Sequence, residues 1–298
     1  MDGILNLNKP AGITSFKAVS KVRRIAGVDK VGHAGTLDPF ATGVLPVMLG
    51  KATRVAEYCL DHAKTYRAQI TLGNETDTLD ITGNIIATAE TTHITLQLAE
   101  SVIGMFTGVI QQIPPVFSAL KLDGRRMYQM AREGLNPEPA SRSVSIYQLQ
   151  IISFQLPILT IDVTCSRGTY IRSLARDIGL ALKSRGYLSK LERTEYGPLD
   201  IASSVCLDDI DEQNGEDLIK SNLLPLDTVL GHLSAINLTQ EEAGLVANGG
   251  SIYRQDMPGT GNTWRAYDEN GSLAALLVSG QAPDWYKPRK VFVGASQP

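Results

Sequence analysis

Apolar and polar residues alternate through Gly3-Ile4-Leu5-Asn6-Leu7-Asn8, the period of a strand with one buried face, and Lys9-Pro10-Ala11-Gly12 ends it with turn chemistry. Ser15 then stands where a helix over 16–26 would be capped. At 100° per residue, Ala18, Val19, Val22, Ile25 and Ala26 gather on one face of that helix, and Lys17, Lys21 and Arg24 form a basic stripe opposite. Residues 64–72 alternate again, with Tyr66, Ala68, Ile70 and Leu72 on one strand face. A turn-rich stretch runs from Asn74 to Asn84, 95–106 reads as a helix, and Ile113-Pro114-Pro115 breaks the chain. Two strands are expected across 145–165, one on each side of Pro157. The clearest helix is 169–183, whose buried stripe is Ile171, Leu174, Ala175, Ile178 and Leu182. This irregular mixture predicts an α+β fold rather than a βαβ repeat. The acidic run 208–217 reads as a connector or an exposed helix, and the text after about 230 is that of a small β-rich module.

With 298 residues, 43% of them hydrophobic, the chain has material for one large or two ordinary domains, and disorder is excluded. No apolar run is long enough to span a bilayer and the first residues lack a secretory layout, so a soluble, cytoplasmic protein is expected. Cys59, Cys165 and Cys206 are odd in number and widely spaced, which predicts reduced and mostly buried thiols; His33, His62, His93 and His232 form no ligand motif, so no metal is expected. The net charge of -3 hides a pattern, with +5 over 1–68, -5 over 69–117, +4 over 118–200 and -7 over 201–298. The two basic blocks could meet in one positive face or be scattered over the surface.

Chemistry concentrates in Gly32-His33-Ala34-Gly35-Thr36-Leu37-Asp38-Pro39-Phe40-Ala41-Thr42-Gly43-Val44-Leu45-Pro46. Its glycines allow a tight loop from which His33 and Asp38 could project, although Asp followed by Pro is equally a good helix start. Tyr66 is a lone aromatic whose ring is core or a stacking face. Arg172 and Arg176 flank an apolar helix stripe, placed either to grip a carboxylate or to pair with Asp177 at the surface. Asp77 and Asp80 imitate a calcium loop but lack its ligand ladder. No glycine-rich nucleotide motif is present.

Taken in order, five stretches resemble the bacterial T-loop tRNA pseudouridine synthases, the TruB-like enzymes. They are Leu5 to Ser15, Gly32 to Pro46, Lys64-Thr65-Tyr66-Arg67, the Ile113–Gly134 stretch with Ser118-Ala119-Leu120-Lys121, and Cys165-Ser166-Arg167-Gly168-Thr169-Tyr170-Ile171-Arg172. Leu188 to Thr194 fits more loosely, and the likeness runs over roughly 3–205. The resemblance implies a pseudouridine-synthase fold, with a mixed, largely antiparallel sheet flanked by helices. It also implies a catalytic domain over 1–228 with a thumb-like insertion at about 118–142, and a PUA-like RNA-binding module over 229–298. It makes Asp38 the catalytic aspartate, Tyr66 the aromatic beside the target base and Arg172 the partner of Asp38. Tyr170 and Leu191 would line the uridine pocket, His33 would hold the nucleotide out, and Lys9 and Pro10 would brace the floor. The implied reaction isomerises the uridine at position 55 in the tRNA T arm after flipping it out, on a monomer without cofactor, metal, membrane or obligatory protein partner. Asn8 and Glu192 depart from the family pattern, which usually has Asp and Arg there. The alternatives are a guide-dependent pseudouridine synthase, a non-catalytic RNA-binding or chaperone protein, and a glycosidase-like hydrolase using Asp77 or Asp80 as second carboxylate.

Overall fold

The computed structural model describes residues 1–118, 120–122, 124–135, 137–259 and 261–292. Its opening elements are β1 (Gly3–Lys9), α1 (Ser15–Ala26), β2 (Val31–His33), β3 (Thr42–Leu49) and β4 (Lys64–Leu72). Then come α2 (Leu96–Gly104), β5 (Gly108–Gln112), β6 (Arg142–Gln155), β7 (Ile158–Cys165), α3 (Ile171–Ala181) and β8 (Gly186–Tyr196). The main sheet has 11 strands and runs β1-β3-β8-β4-β7-β6-β5, with Val205–Cys206 beyond β1 and β2 beside β3. Its pairs are antiparallel except β1 with Val205–Cys206 and a short contact of β3 with β8, so the sheet is mixed and largely antiparallel.

Burial explains where the sequence reading needs correction. Strand β1 has no solvent face: Leu5 and Leu7 enter the main core, Ile4 joins a second cluster with Val44 and Met48, and polar Asn6 is buried between. The Asn6 Nδ2 is satisfied by donating to the carbonyl of Asp200 at 2.7 Å and to Ser203 Oγ at 3.1 Å. The cap of α1 is Thr14, whose Oγ1 accepts from the Lys17 amide at 3.1 Å; Ser15 is already inside the helix. Ala18, Val19, Val22 and Ala26 are the buried stripe, as expected. The basic stripe opposite is largely engaged, because Arg24 meets Glu212 at 2.6 Å and Lys21 donates to the Leu207 carbonyl at 2.9 Å. The acidic run thus packs on the basic helix, through a turn at Leu207–Asp209 and the helix α4 (Gly215–Ser221). The helices expected over 95–106 and 169–183 are shorter at both ends, with Thr95 capping α2.

Beyond Leu230 a five-stranded sheet forms from β9 (Ser234–Asn237), β10 (Ile252–Tyr253), β11 (Thr263–Tyr267), β12 (Leu273–Ser279) and β13 (Trp285–Val291) in the order β9-β11-β12-β13-β10, with α5 (Gln240–Ala247) against it. Val229, Leu230, Leu276 and Phe292 share one apolar cluster with Ala52, Val55, Cys59 and Tyr196, so the two sheets are joined by core packing. Among the described residues, Cys59 and Cys165 are buried, Cys206 is exposed and all three are free. Among the described residues no helix is long and apolar enough to cross a membrane. The insertion at 118–142 contains a two-stranded hairpin of Lys121–Leu122 with Arg125–Arg126 and the helix Met127–Arg132; Ala119 of the Ser118-Ala119-Leu120-Lys121 stretch lies outside the described residues.

Candidate active site

The loop between β2 and β3 is held from below at each step. The Ser15 hydroxyl accepts from the Leu37 amide at 2.9 Å and donates to the Leu37 carbonyl at 3.1 Å, fixing the residue before Asp38. The Gly12 amide donates to the Pro39 carbonyl at 2.8 Å, and Lys9 Nζ reaches that carbonyl at 3.4 Å. Asp38 begins only a single turn, its carbonyl accepting from the Ala41 amide at 3.1 Å, so the helix-cap alternative does not apply. Its carboxylate points instead at Arg172.

Arg172 sits in the first turn of α3 and is 5% exposed. Its Nη2 donates to Asp38 Oδ1 at 3.1 Å, while its Nε lies 2.9 Å from Oδ2 as an ionic contact off the hydrogen-bond axis. The rest of the fork is used as well, with Nη2 donating to the Phe117 carbonyl at 3.1 Å and Nη1 to the Thr78 carbonyl at 3.2 Å. Gln112 fixes the start of α3, its amide exchanging two hydrogen bonds with the Tyr170 backbone at 2.8 and 3.1 Å. Arg176 pairs with Asp177 at 2.8 Å, the alternative to gripping Asp38, but the pair is largely covered rather than solvent-facing and Arg176 also donates to the Ile113 carbonyl at 3.2 Å.

A second carboxylate completes the cluster. Asp80 is 4% exposed and lies 3.5 Å from Arg172 Nη1. It is saturated on its other side, where Oδ1 accepts from Thr78 Oγ1 at 2.8 Å, the Thr82 amide at 2.9 Å and Thr82 Oγ1 at 2.6 Å. Leu79, buried at φ 61°, holds the backbone in a left-handed kink between Thr78 and Asp80, a cost that functional sites often carry. The sequence offers Asp80 only as part of an apparent calcium loop or as the second carboxylate of a hydrolase, never as a partner of Arg172, because an Asp among threonines is common to ordinary turns. One guanidinium therefore serves two carboxylates. Burial pushes the Asp38 carboxyl above its ordinary range; Arg172 pulls it down and Asp80 raises it further, and burial prevails.

Next to Asp38 and Asp80 in the chain, Pro39, Phe40 and Ile81 help line a cleft of about 630 Å³, together with Gly12, Arg67, Leu191 and Glu192 among others. Glu192 thus faces the same opening as Arg67, whose guanidinium grips Asp162 at 2.8 and 2.9 Å. Lys9 is fully buried under the loop, its Nζ donating to the carbonyls of Pro10 at 2.7 Å and Ile13 at 3.0 Å, and burial lowers its pKa to about 8. Tyr66 lies on β4 in register with Arg193, and burial raises its phenol pKa. The Tyr170 ring is covered by the Arg142 guanidinium at 4.6 Å. His33 is half-buried, its Nδ1 lacks a hydrogen-bond partner among the described residues, and its pKa is lowered by burial and by the charge of Arg193. Asp38 and Arg172 are thus brought together directly, Lys9 reaches the neighbouring Pro39 carbonyl and Leu191 lines the cleft, whereas among the described residues no hydrogen bond or ion pair joins His33 or Tyr170 to Asp38. Among the described residues no cluster of three metal-ligating side chains occurs.

Comparison with known proteins gives this geometry its context. Residues 23–171 match the model of the TruB family pseudouridylate synthase N-terminal domain, and residues 172–231 that of the tRNA pseudouridylate synthase B C-terminal domain. The chain is 42% identical over 293 residues to a tRNA pseudouridine synthase B of Dehalococcoides mccartyi, covering 98% of this chain and 97% of that one. It is 40% identical to the protein of the same name from Geotalea uraniireducens, over 96% of this chain and 94% of the other. A solved Cbf5-Nop10-Gar1 complex contains a chain that superposes with a TM-score of 0.74 at 26% identity, covering 98% of this chain and 85% of that one. An H/ACA ribonucleoprotein bound to a substrate RNA shares the fold at a TM-score of 0.75 and 24% identity, over 98% of this chain and 86% of that chain.

Proposed function

Because the chain belongs to the TruB family of pseudouridylate synthases, we propose that it isomerises a uridine of tRNA, position 55 in the T loop, to pseudouridine with Asp38 as the reacting carboxylate. The observation that carries this reading is the ion pair of Asp38 with the buried Arg172, on a loop beside an open cleft. The reaction breaks the N1–C1′ bond, turns the base and rejoins it through C5, so atoms are conserved and no redox partner enters. Asp38 acts in its ionised form, either attacking C1′ or taking the C2′ proton. Arg172 favours that form and orients both oxygens.

Tyr66 and Leu191 wall the base in, keeping it in place while it turns and keeping water from the sugar. Tyr170 lines the same pocket, His33 supports the extruded nucleotide, and Lys9 with Pro10 braces the loop from beneath. Extruding the base costs a few kcal/mol, which contacts to the loop backbone offset. We assign 1–228 to the catalytic domain, with the 118–142 insertion closing over RNA, and 229–298 to a PUA-like RNA-binding module. Relatives named as tRNA enzymes, at 42% and 40% identity over nearly the whole chain, favour a tRNA substrate met without a guide, and the reading takes the chain as a cytoplasmic monomer.

The test is tritium release from a tRNA transcript labelled at C5 of uridine, with the purified chain alone. Release from the native transcript and none when position 55 is changed to cytidine is expected. Activity only with a guide RNA, or free uracil as product, contradicts the proposal.

A further inference from the structure

Under the Asp38 loop lies a second buried guanidinium that meets no acid. Arg193 is 1% exposed, and among the described residues it forms no ion pair. Its Nε donates to the Val44 carbonyl at 2.7 Å and its Nη2 to the Gly35 carbonyl at 2.9 Å. Those carbonyls are the two shoulders of the segment that carries Asp38. The guanidinium carbon lies 5.0 Å from the centre of the Tyr196 ring and 6.0 Å from that of Tyr66. The Tyr196 ring also meets Lys64 Nζ at 4.6 Å.

Burying a cation without a counter-charge is costly, so filling this space alone would favour an apolar side chain. The planar fork offers what a hydrocarbon or an ammonium does not, two donors held at a fixed separation. The backbone agrees, since Arg193 pairs with Gly43 on one side and Tyr66 on the other. A Cβ on Gly43 would stand 2.2 Å from the Arg193 carbonyl, so the strands approach as closely as glycine permits.

We infer that Arg193 is a positioning residue for the reaction: a single guanidinium ties both shoulders of the Asp38 loop and seats the Tyr66 ring beside it. The inference rests on the reading of Asp38 as the reacting carboxylate. The groups that face this charge are Lys9, His33, Lys64, Tyr66, Cys165 and Tyr196, and both Lys9 and His33 are drawn downward by it.

The experiment compares Arg193→Lys and Arg193→Met in single-turnover reactions on bound tRNA transcript. A loop displaced by about 1 Å slows the chemical step about 100-fold, and transcript affinity should stay within about threefold of native. The His33 imidazole, followed by NMR, should titrate higher in Arg193→Met, where the charge is gone, and stay near native in Arg193→Lys. A native rate in either variant overturns the inference, as does a rate loss matched by lost binding, or an unmoved His33 in Arg193→Met. Should neither fold, Gly35→Ala decides, because its Cβ would stand 2.7 Å from Tyr196 Cε2 and 3.4 Å from Arg193 Nη1 while Arg193 stays in place. The same split of rate from affinity is expected there, and an unchanged rate overturns the inference. Turnover by Asp38→Asn, measured alongside, overturns the Asp38 reading instead, so the two failures are distinct.

Discussion

Arg172 is the residue on which the candidate site turns, because its one planar group is shared between two carboxylates. Replacing it with lysine keeps a charge but loses the fork that spans Asp38, Asp80 and two carbonyls. Arg172→Lys should therefore fold yet lose about 100-fold or more in turnover, checked by circular dichroism and tritium release. The same geometry fixes a sign for pH. Asp38 works ionised and its carboxyl is raised, so activity should fall on acidification at a pH above the ordinary carboxylate range. Asp80 contributes to that rise, and Asp80→Asn should move the acid limb of the residual activity downward; an upward move contradicts the shared guanidinium. Little of this was legible residue by residue. Asp38 followed by proline reads equally as a helix start, and only the family likeness joined it to an arginine 134 positions later. Asp80 was legible as a candidate carboxylate, but its link to Arg172 was not, because that partner lies on another element.

At the scale of elements, stripes and alternations were readable where one face is buried and one is wet, as in α1; α3 kept its apolar stripe although nearly all its positions are covered. They misled where both faces are covered: β1 alternates in the sequence, yet Asn6 is buried beside its apolar neighbours, its Nδ2 donating to Asp200 and Ser203. Caps were ambiguous for a related reason. Thr14 and Ser15 are both capable, and the long-range bond of Ser15 to Leu37 leaves the cap to Thr14. In the second sheet, Thr239 and Glu242 form a capping box on α5, and Arg254 clamps the same glutamate at 2.6 and 2.8 Å. Thr239→Ala should cost about 1 kcal/mol in chemical denaturation. The bond from Arg254 lowers the Glu242 pKa. Its stabilising contribution is present above the ordinary glutamate pKa and is lost as pH falls through the depressed folded value. A stability loss in Glu242→Gln that is independent of pH across that window contradicts this arrangement.

The whole molecule shows why net charge was a poor guide. The acidic run after residue 207 lies on the basic face of α1, so charges that looked like a free RNA surface partly neutralise each other. The second sheet is fixed to the first through Phe292, Leu276 and Tyr196 and through Arg289 and Lys290 on Glu57, contacts far apart in sequence that no local pattern announces. What the fold accomplishes is to bring a loop from between β2 and β3, a helix start after β7 and a kinked turn after β4 to one point beside a cleft. The account stands on the carboxylate at that point. Its most direct test is Asp38→Asn, an uncharged side chain of nearly the same shape, assayed for transcript binding and for pseudouridine in the same preparation. Binding close to native with no detectable pseudouridine is the predicted result, and pseudouridine formed at a rate near that of the native chain contradicts it.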